Sequence, residues 1–224
     1  MATATRLELD AIDFPAQIAA QTCELINRGT LAPGLQLRQS DLAERFRISR
    51  VPIREALKLL AAEGIIEHDP NRGFFVARLS SEEARQLYRM RTLLETELLS
   101  TVEWPAPAQL KALKAMLAKL DELHRVGDRE SWIRCHRAFH EAIFDLSPDK
   151  VLKRELLRLL RLTDRYRALA ADVSAQREHR NAKIDLLLMK ALDTKNRTLL
   201  LATYDQGRTM VLASLMAVLA TRGV

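Results

Sequence analysis

The sequence predicts a mainly α-helical protein, with a small helix-and-hairpin unit first and an all-helical bundle after it. Three observations carry this expectation. Leu, Ala, Arg and Glu dominate the 224 residues, and all four favour helix. Gly and Pro number only 7 each, too few turn residues for a sandwich or a barrel. Apolar residues recur at helical spacing along most of the chain and read as strand only briefly, near 35–37, 65–67 and 74–76.

The elements follow in order. Residues 1–13 read as a flexible arm without the apolar segment of a secretory signal. From Phe14 a helix keeps Ile18, Ala19, Cys23 (or Thr22), Leu25 and Ile26 on one face, and Gly29 ends it. Leu31 to Gly34 is a turn, and Leu35 to Leu37 a very short strand. Ser40 is the expected N-cap of a helix over Asp41–Phe46, and Arg47, Ile48 and Ser49 form a break. Ser49 caps a second helix over Arg50–Glu63, with Pro52 tolerated in its first turn and Gly64 stopping it. Ile65–Glu67 and Phe74–Val76 read as two strands joined through residues 68–73.

After Leu79 the pattern is purely helical: 81–103, 108–126, 129–146, then two or three long helices divided near 172–174 and 193–196. The expected domains are therefore 14–78 and 79–224. Leu186 to Met189 are expected in the core of the bundle. No apolar run is long enough to cross a membrane. Cys23 and Cys135 lie far apart, and the expectation is reduced thiols in a cytoplasmic protein.

A net charge of +6 suggests a polyanionic partner, but its placement matters more than its size. Residues 1–78 hold 10 basic and 10 acidic side chains, so a basic tail is not the explanation. Within that neutral stretch Arg45, Arg47, Arg50, Arg54 and Lys58 fall in one run opposed only by Glu55. Two short helices with a tight turn between them, the second entering with a polar cap and then arginine, describe a helix-turn-helix. The second helix must present its first turns to base edges in the major groove. Arg50 and Arg54 share one face of it, while Ile53, Leu57 and Leu60 turn inward. The hairpin after it makes a wing with Asn71, Arg72 and Gly73 at its tip. The expected architecture is a winged helix-turn-helix followed by a helical bundle.

The stretch from Leu42 to Leu57, LAERFRISRVPIREAL, resembles the signature of the GntR family of bacterial transcription regulators. Leu60 to Ile66 and Arg72 to Val76 fit the continuation of that pattern. The helical bundle behind it is similar to the FadR subfamily with its FCD effector domain. The resemblance implies that Arg50, Val51, Pro52 and Arg54 contact operator DNA, with the wing at Arg72 and Gly73 and a backbone contact at Ser40. With Arg38 and Ser49 these complete the candidate DNA-binding set. Val51 stands where the family often has Thr, which removes a hydroxyl donor. The resemblance also implies a homodimer on double-stranded operator DNA, acting as a repressor under control of a small organic acid.

His136 and His140 form a second constellation. They are four residues apart on one helix face, with Ile133 and Ile143 on the same side, so both point into the bundle. Such a pair suits Zn²⁺ or Ni²⁺, or equally two buried, hydrogen-bonded polar residues. The FCD resemblance matches Phe139-His140 to one metal ligand and puts His136 where the family has Asp. It places the next ligand at Asp185 and the last near Gly207, which has no ligating side chain. His179 is a rival for the third place, on a different helix face from Asp185. The site therefore reads as His136, His140 and Asp185 completed by water, or as one without metal. Arg91 resembles an arginine that meets an acid ligand in the family, or pairs with Glu95 one turn on. Arg91, His136, His140 and Asp185 are the candidate effector-binding residues, and Arg165, Tyr166 and Tyr204 are further candidates for the pocket lining.

Two other readings remain. A metal-assisted hydrolase built on His136 and His140 lacks an evident nucleophile, general base or Gly-rich phosphate loop, so no enzyme is expected. A constitutive DNA-binding regulator would use the bundle only to dimerise.

Overall fold

The computed structural model describes residues 14–169 and 174–223, and side chains outside 167–181. The expected arm at 1–13 and the helix break near residue 172 lie outside the described residues. The chain forms two compact units. The first runs to Ala84 and takes in Arg161–Leu169, and the second holds Arg85–Leu160 and the chain from 174 to Gly223.

In the first unit α1 (Phe14–Asn27) buries Ile18, Ala19, Thr22 and Ile26. Thr22 rather than Cys23 is the fully covered residue of the two that the pattern left open. α2 (Gln39–Phe46) starts earlier than Ser40 suggests. Arg38 is its N-cap, with extended backbone and no side-chain capping bond. Ser40 lies inside the first turn, where its hydroxyl donates to Asp41 Oδ1 at 2.9 Å and so is not a cap. α3 (Arg50–Ala62) does begin after Ser49, but the Ser49 side chain makes no capping hydrogen bond. Ile53, Ala56, Leu57 and Leu60 cover its inner face, which packs on α1 and α2.

β1 (Gln36–Leu37), β2 (Ile66–Asp69) and β3 (Gly73–Val76) form one antiparallel sheet in the order β1-β3-β2. The hairpin is longer, and its loop shorter, than the sequence suggested. His68 pairs with Phe74 across the ladder and stacks on it at 4.4 Å between ring centroids, which extends the strands. Asp69 Oδ1 accepts the N–H groups of Asn71 at 2.8 Å and Arg72 at 3.1 Å, a side-chain turn that closes the tip. Gly73 then takes φ +91°, which a side chain would resist. The segment Arg161–Leu169 joins this unit through polar contacts: Arg161 Nε reaches Glu63 at 3.1 Å, and Arg165 Nη2 reaches Glu83 at 2.6 Å. Tyr166 donates its hydroxyl to the Glu83 carboxylate.

Helices are the only regular elements among the described residues of the second unit. α4 (Ser81–Ser100), α5 (Pro107–Val126), α6 (Arg129–Phe144), α7 (Lys150–Leu169), α8 (Ser174–Asp193) and α9 (Arg197–Thr221) carry it. Their ends are set by polar side chains. Gln109 accepts the Ala106 N–H at 2.9 Å, Asp128 accepts that of Ser131 at 3.1 Å, and Asn196 that of Leu199 at 2.9 Å. Leu98, Phe139, Ile143, Phe144, Leu188 and Leu200 form the centre of the core. Leu188 and Met189 are buried as expected, whereas Leu186 is 60% exposed because it falls on the opposite face of α8.

Ile53 is fully enclosed in the first unit. Ile53→Ala is expected to cost about 2–5 kcal/mol, the usual price of truncating a packed aliphatic side chain, as read from a urea unfolding curve.

Candidate functional site

The outer face of α3 is basic and open. Arg50, Val51 and Arg54 are exposed, as are Arg38, Ser40 and Ser49 before them, and Pro52 is half-buried. Arg54 Nε leans on Glu55 at 3.3 Å, and Lys58 Nζ shares the same carboxylate at 3.1 Å, so one acid is divided between two cations. Because Ser49 leaves the first N–H groups of α3 without a side-chain partner, the helix entrance favours an anion. At the wing, Gln36 on β1 donates to the Arg72 carbonyl at 2.7 Å and braces the tip. The Arg72 guanidinium lies 5.1 Å from the Phe75 ring centroid. The predicted DNA-reading residues therefore belong to one unit and are solvent-facing apart from Pro52 and Gly73.

A second polar assembly is buried in the bundle. His136 and His140 on α6 turn toward Asp185 on α8. The two Nε2 atoms are 3.2 Å apart, His136 Nε2 is 3.3 Å from Asp185 Oδ2, and His140 Nε2 is 3.4 Å from Oδ1. Asp185 Oδ1 is buried and makes no well-directed hydrogen bond. Burial pushes the Asp185 carboxyl up, but the imidazoles of His136 and His140 outweigh it and hold it well below the usual carboxylate range. His136 stacks on Trp132 at 4.6 Å, and His140 Nδ1 lies 3.1 Å from the Tyr204 hydroxyl on α9. Burial, and then the charge of Glu95, push the Tyr204 phenol well above its ordinary value, so it stays neutral. The donors suit a divalent metal. Two ligands about 2.0–2.1 Å from Zn²⁺ in tetrahedral geometry lie about 3.3–3.4 Å apart, close to the distance between the two Nε2 atoms, and one donor atom from each of the three residues lies within 4.8 Å of the others.

Beside Tyr204, Glu95 on α4 is 0% exposed between two arginines. Arg91 Nη2 is 3.0 Å from its Oε1, and Arg208 Nη1 on α9 is 3.4 Å from its Oε2. Burial alone would lower the Arg91 guanidinium, but the Glu95 charge holds it above its ordinary value. Arg208 also donates to the Thr92 carbonyl, the Thr96 hydroxyl and Asp205, while its Nε stays buried without a partner.

Residues 15–76 match the family described as bacterial regulatory proteins, gntR family, and residues 86–198 match the FCD domain. The chain belongs to the GntR family of bacterial regulatory proteins. The uncharacterized HTH-type transcriptional regulator YdhC of Bacillus subtilis (strain 168) is 30% identical over 175 residues, 73% of this chain and 76% of that protein. The HTH-type transcriptional repressor GlaR of Escherichia coli (strain K12) is 33% identical over 149 residues, 63% of this chain and 67% of that protein. Among solved structures, E. coli McbR/YncC has a TM-score of 0.80 at 25% identity and covers 90% of this chain and 96% of that one. This is a family of DNA-binding transcription regulators, and the hydrolase reading of His136 and His140 gives way to it.

In this GntR-family chain the bundle brings His136, His140 and Asp185 together and adds Tyr204, Glu95 and Arg208. Arg91 does form the intrahelical pair with Glu95. Arg165 and Tyr166 belong to the first unit, where they hold Glu83 and Ser80, and so do not line this assembly. The His179 side chain lies outside the described residues. Gly207 packs tightly: a Cβ there would sit 3.3 Å from Ile184 Cγ2, so a histidine in its place needs Ile184 to move. Sequence reasoning missed Arg208. Its signal was the only charged side chain between Asp205 and the end of α9.

Glu95 offsets two enclosed guanidiniums. Glu95→Gln is expected to destabilise the protein by about 3–5 kcal/mol in a denaturant titration, because unpaired buried charge is costly.

Proposed function

We propose that this regulator binds its operator as a homodimer and represses transcription in the bacterial cytoplasm, with residues 14–78 reading DNA and 79–224 dimerising and sensing a small organic acid. The repressor sign is supported by the name of GlaR, a relative over 63% of the chain. Arg50 and Arg54 read bases, Arg38, Ser40, Ser49, Val51 and Pro52 flank them, and Arg72 and Gly73 bring the wing to the duplex. Two copies suit paired half-sites related by dyad symmetry. Met90 and Leu93 leave an exposed apolar patch on α4 for a second copy to cover.

One observation carries the sensing role: the buried cluster of Arg91, Glu95 and Arg208 beside His136, His140 and Asp185. Two guanidiniums face one wholly buried carboxylate, and Asp205, the other acid near Arg208, is 64% exposed and well screened. A carboxylate effector would meet Arg91 and Arg208. His136, His140 and Asp185 would hold Zn²⁺ or Ni²⁺, with the His140 Nδ1–H fixed by Tyr204. Such an ion would supply a further positive charge for an acid group. An effector shifts DNA affinity only by its differential affinity for two states of the protein. A second reading, a constitutive regulator whose bundle only dimerises, is favoured by Glu95 already occupying both arginines.

Arg50→Ala and Arg54→Ala are each expected to lose operator binding in gel-shift assays while keeping the parent's circular dichroism, since a bidentate base contact contributes about 1–3 kcal/mol of discrimination. Parent affinity in both variants would remove the DNA-reading assignment. In calorimetry, Zn²⁺ or Ni²⁺ is expected to bind the parent and His179→Ala, but not His140→Ala or Asp185→Asn. A panel of small carboxylates should then give heat with the loaded protein. No heat from metals or acids would favour the constitutive reading.

A further inference from the structure

We propose that Arg47, in the turn between α2 and α3, is a further DNA-contacting residue that grips a backbone phosphate beside the reading helix. This rests on the DNA-binding reading of the first unit and adds a residue to it.

The argument begins with backbone geometry. α2 ends with the Ile48 N–H donating to the Ala43 carbonyl at 3.0 Å and the Arg47 N–H to that of Glu44 at 3.1 Å. That paired pattern places its closing residue in the left-handed region, and Arg47 has φ 57° and ψ 45°. A side chain there crowds its own carbonyl, so glycine is the usual occupant. This chain puts glycine at six other positive-φ positions, and among the described residues only Arg47 and Lys195 depart from it.

Among the described residues no side-chain contact of Arg47 offsets this strain. Its side chain is exposed and makes no ion pair among the described residues. Its charged neighbours in sequence are Glu44, Arg45 and Arg50; Glu44 makes no ion pair with it among the described residues, and the carboxylate of Glu55 is already shared by Arg54 and Lys58. The turn leads directly into the entrance of α3, whose first N–H groups Ser49 leaves uncapped. Guanidinium, helix entrance and Arg50 together make a cationic patch in which no carboxylate pairs with either arginine among the described residues. A phosphodiester fits it: arginine binds phosphate through paired hydrogen bonds, and such contacts fix the register of a reading helix without reading sequence. Backbone strain held at an exposed position that bears a binding group is where function retains it.

Lys195 supplies the control. It closes α8 through the same pattern, with φ 52° and its N–H donating to Leu192 at 3.3 Å, but it belongs to the second unit. Both residues gain a little from the helix dipole, so the dipole does not separate them.

The test compares full-length parent, Arg47→Gly, Arg47→Gln, Lys195→Gly and Arg50→Ala. Fluorescence anisotropy over a salt series, with a duplex selected by this protein from a random-sequence pool, reads phosphate contacts in the slope and base contacts in the affinity, and thermal unfolding reads the turn. Both Arg47 variants are expected to bind more weakly, with the slope of log affinity against log salt reduced by about one for each bound protomer. Lys195→Gly should keep the parent slope. Arg47→Gly should unfold no earlier than the parent; if it folds poorly, Arg47→Gln carries the comparison. The proposal is overturned if both Arg47 variants keep the parent slope, or if Lys195→Gly loses as much. Weakened binding in Arg50→Ala with none in the Arg47 variants removes this inference and leaves the reading helix in place. Unchanged binding in all of them removes both.

Discussion

A carboxylate that water does not reach organises the second unit. Glu95 is enclosed on α4, and it is tolerable there only because Arg91 and Arg208 face it. Arg91 comes from the same helix, one turn away, but Arg208 comes from α9. Satisfying Glu95 therefore ties α4 to α9. Tyr204, one turn before Arg208, carries the link to His140 on α6, and His140 carries it to Asp185 on α8. Four helices are joined through one run of polar contacts inside an otherwise apolar core. A core satisfied by leucine alone would be simpler to fold. The polar run gives the bundle a chemical interior, and that is the physical basis for assigning it a ligand.

The first unit follows a different logic. Its charge balance is neutral, yet its cations gather on the turn and the outer face of α3 while its core faces inward through Ile53, Ala56, Leu57 and Leu60. The net +6 of the whole chain thus says little about DNA binding, and the local arrangement says most of it. The turn at Arg47 shows the same preference for charge over backbone ease.

Much of this was legible in the sequence. The order of helices and the hairpin followed from periodicity, capping residues and glycines, and the spacing of His136 and His140 put both on one inward face. Asp185 was found through resemblance, and the bundle places it against both histidines. What the sequence hid was pairing at a distance. Arg208 stands 113 residues from Glu95, and no local pattern joins them. Ser40 misled because a good capping residue need not cap when the helix begins one residue before it. Arg165 and Tyr166 misled because α7 supplies residues to the first unit as well as to the bundle. The tip of the wing was shorter than expected because Asp69 closes it with its own side chain.

The proposed sensing role requires that the buried cluster of the bundle govern the affinity of α3 for DNA. The most direct measurement is the anisotropy of a labelled duplex, selected by this protein from a random-sequence pool, as small carboxylates are titrated into metal-loaded protein and again after chelation. The account predicts that at least one acid changes the affinity when metal is present and loses that effect when it is removed. DNA affinity indifferent to every acid and to chelation would contradict it.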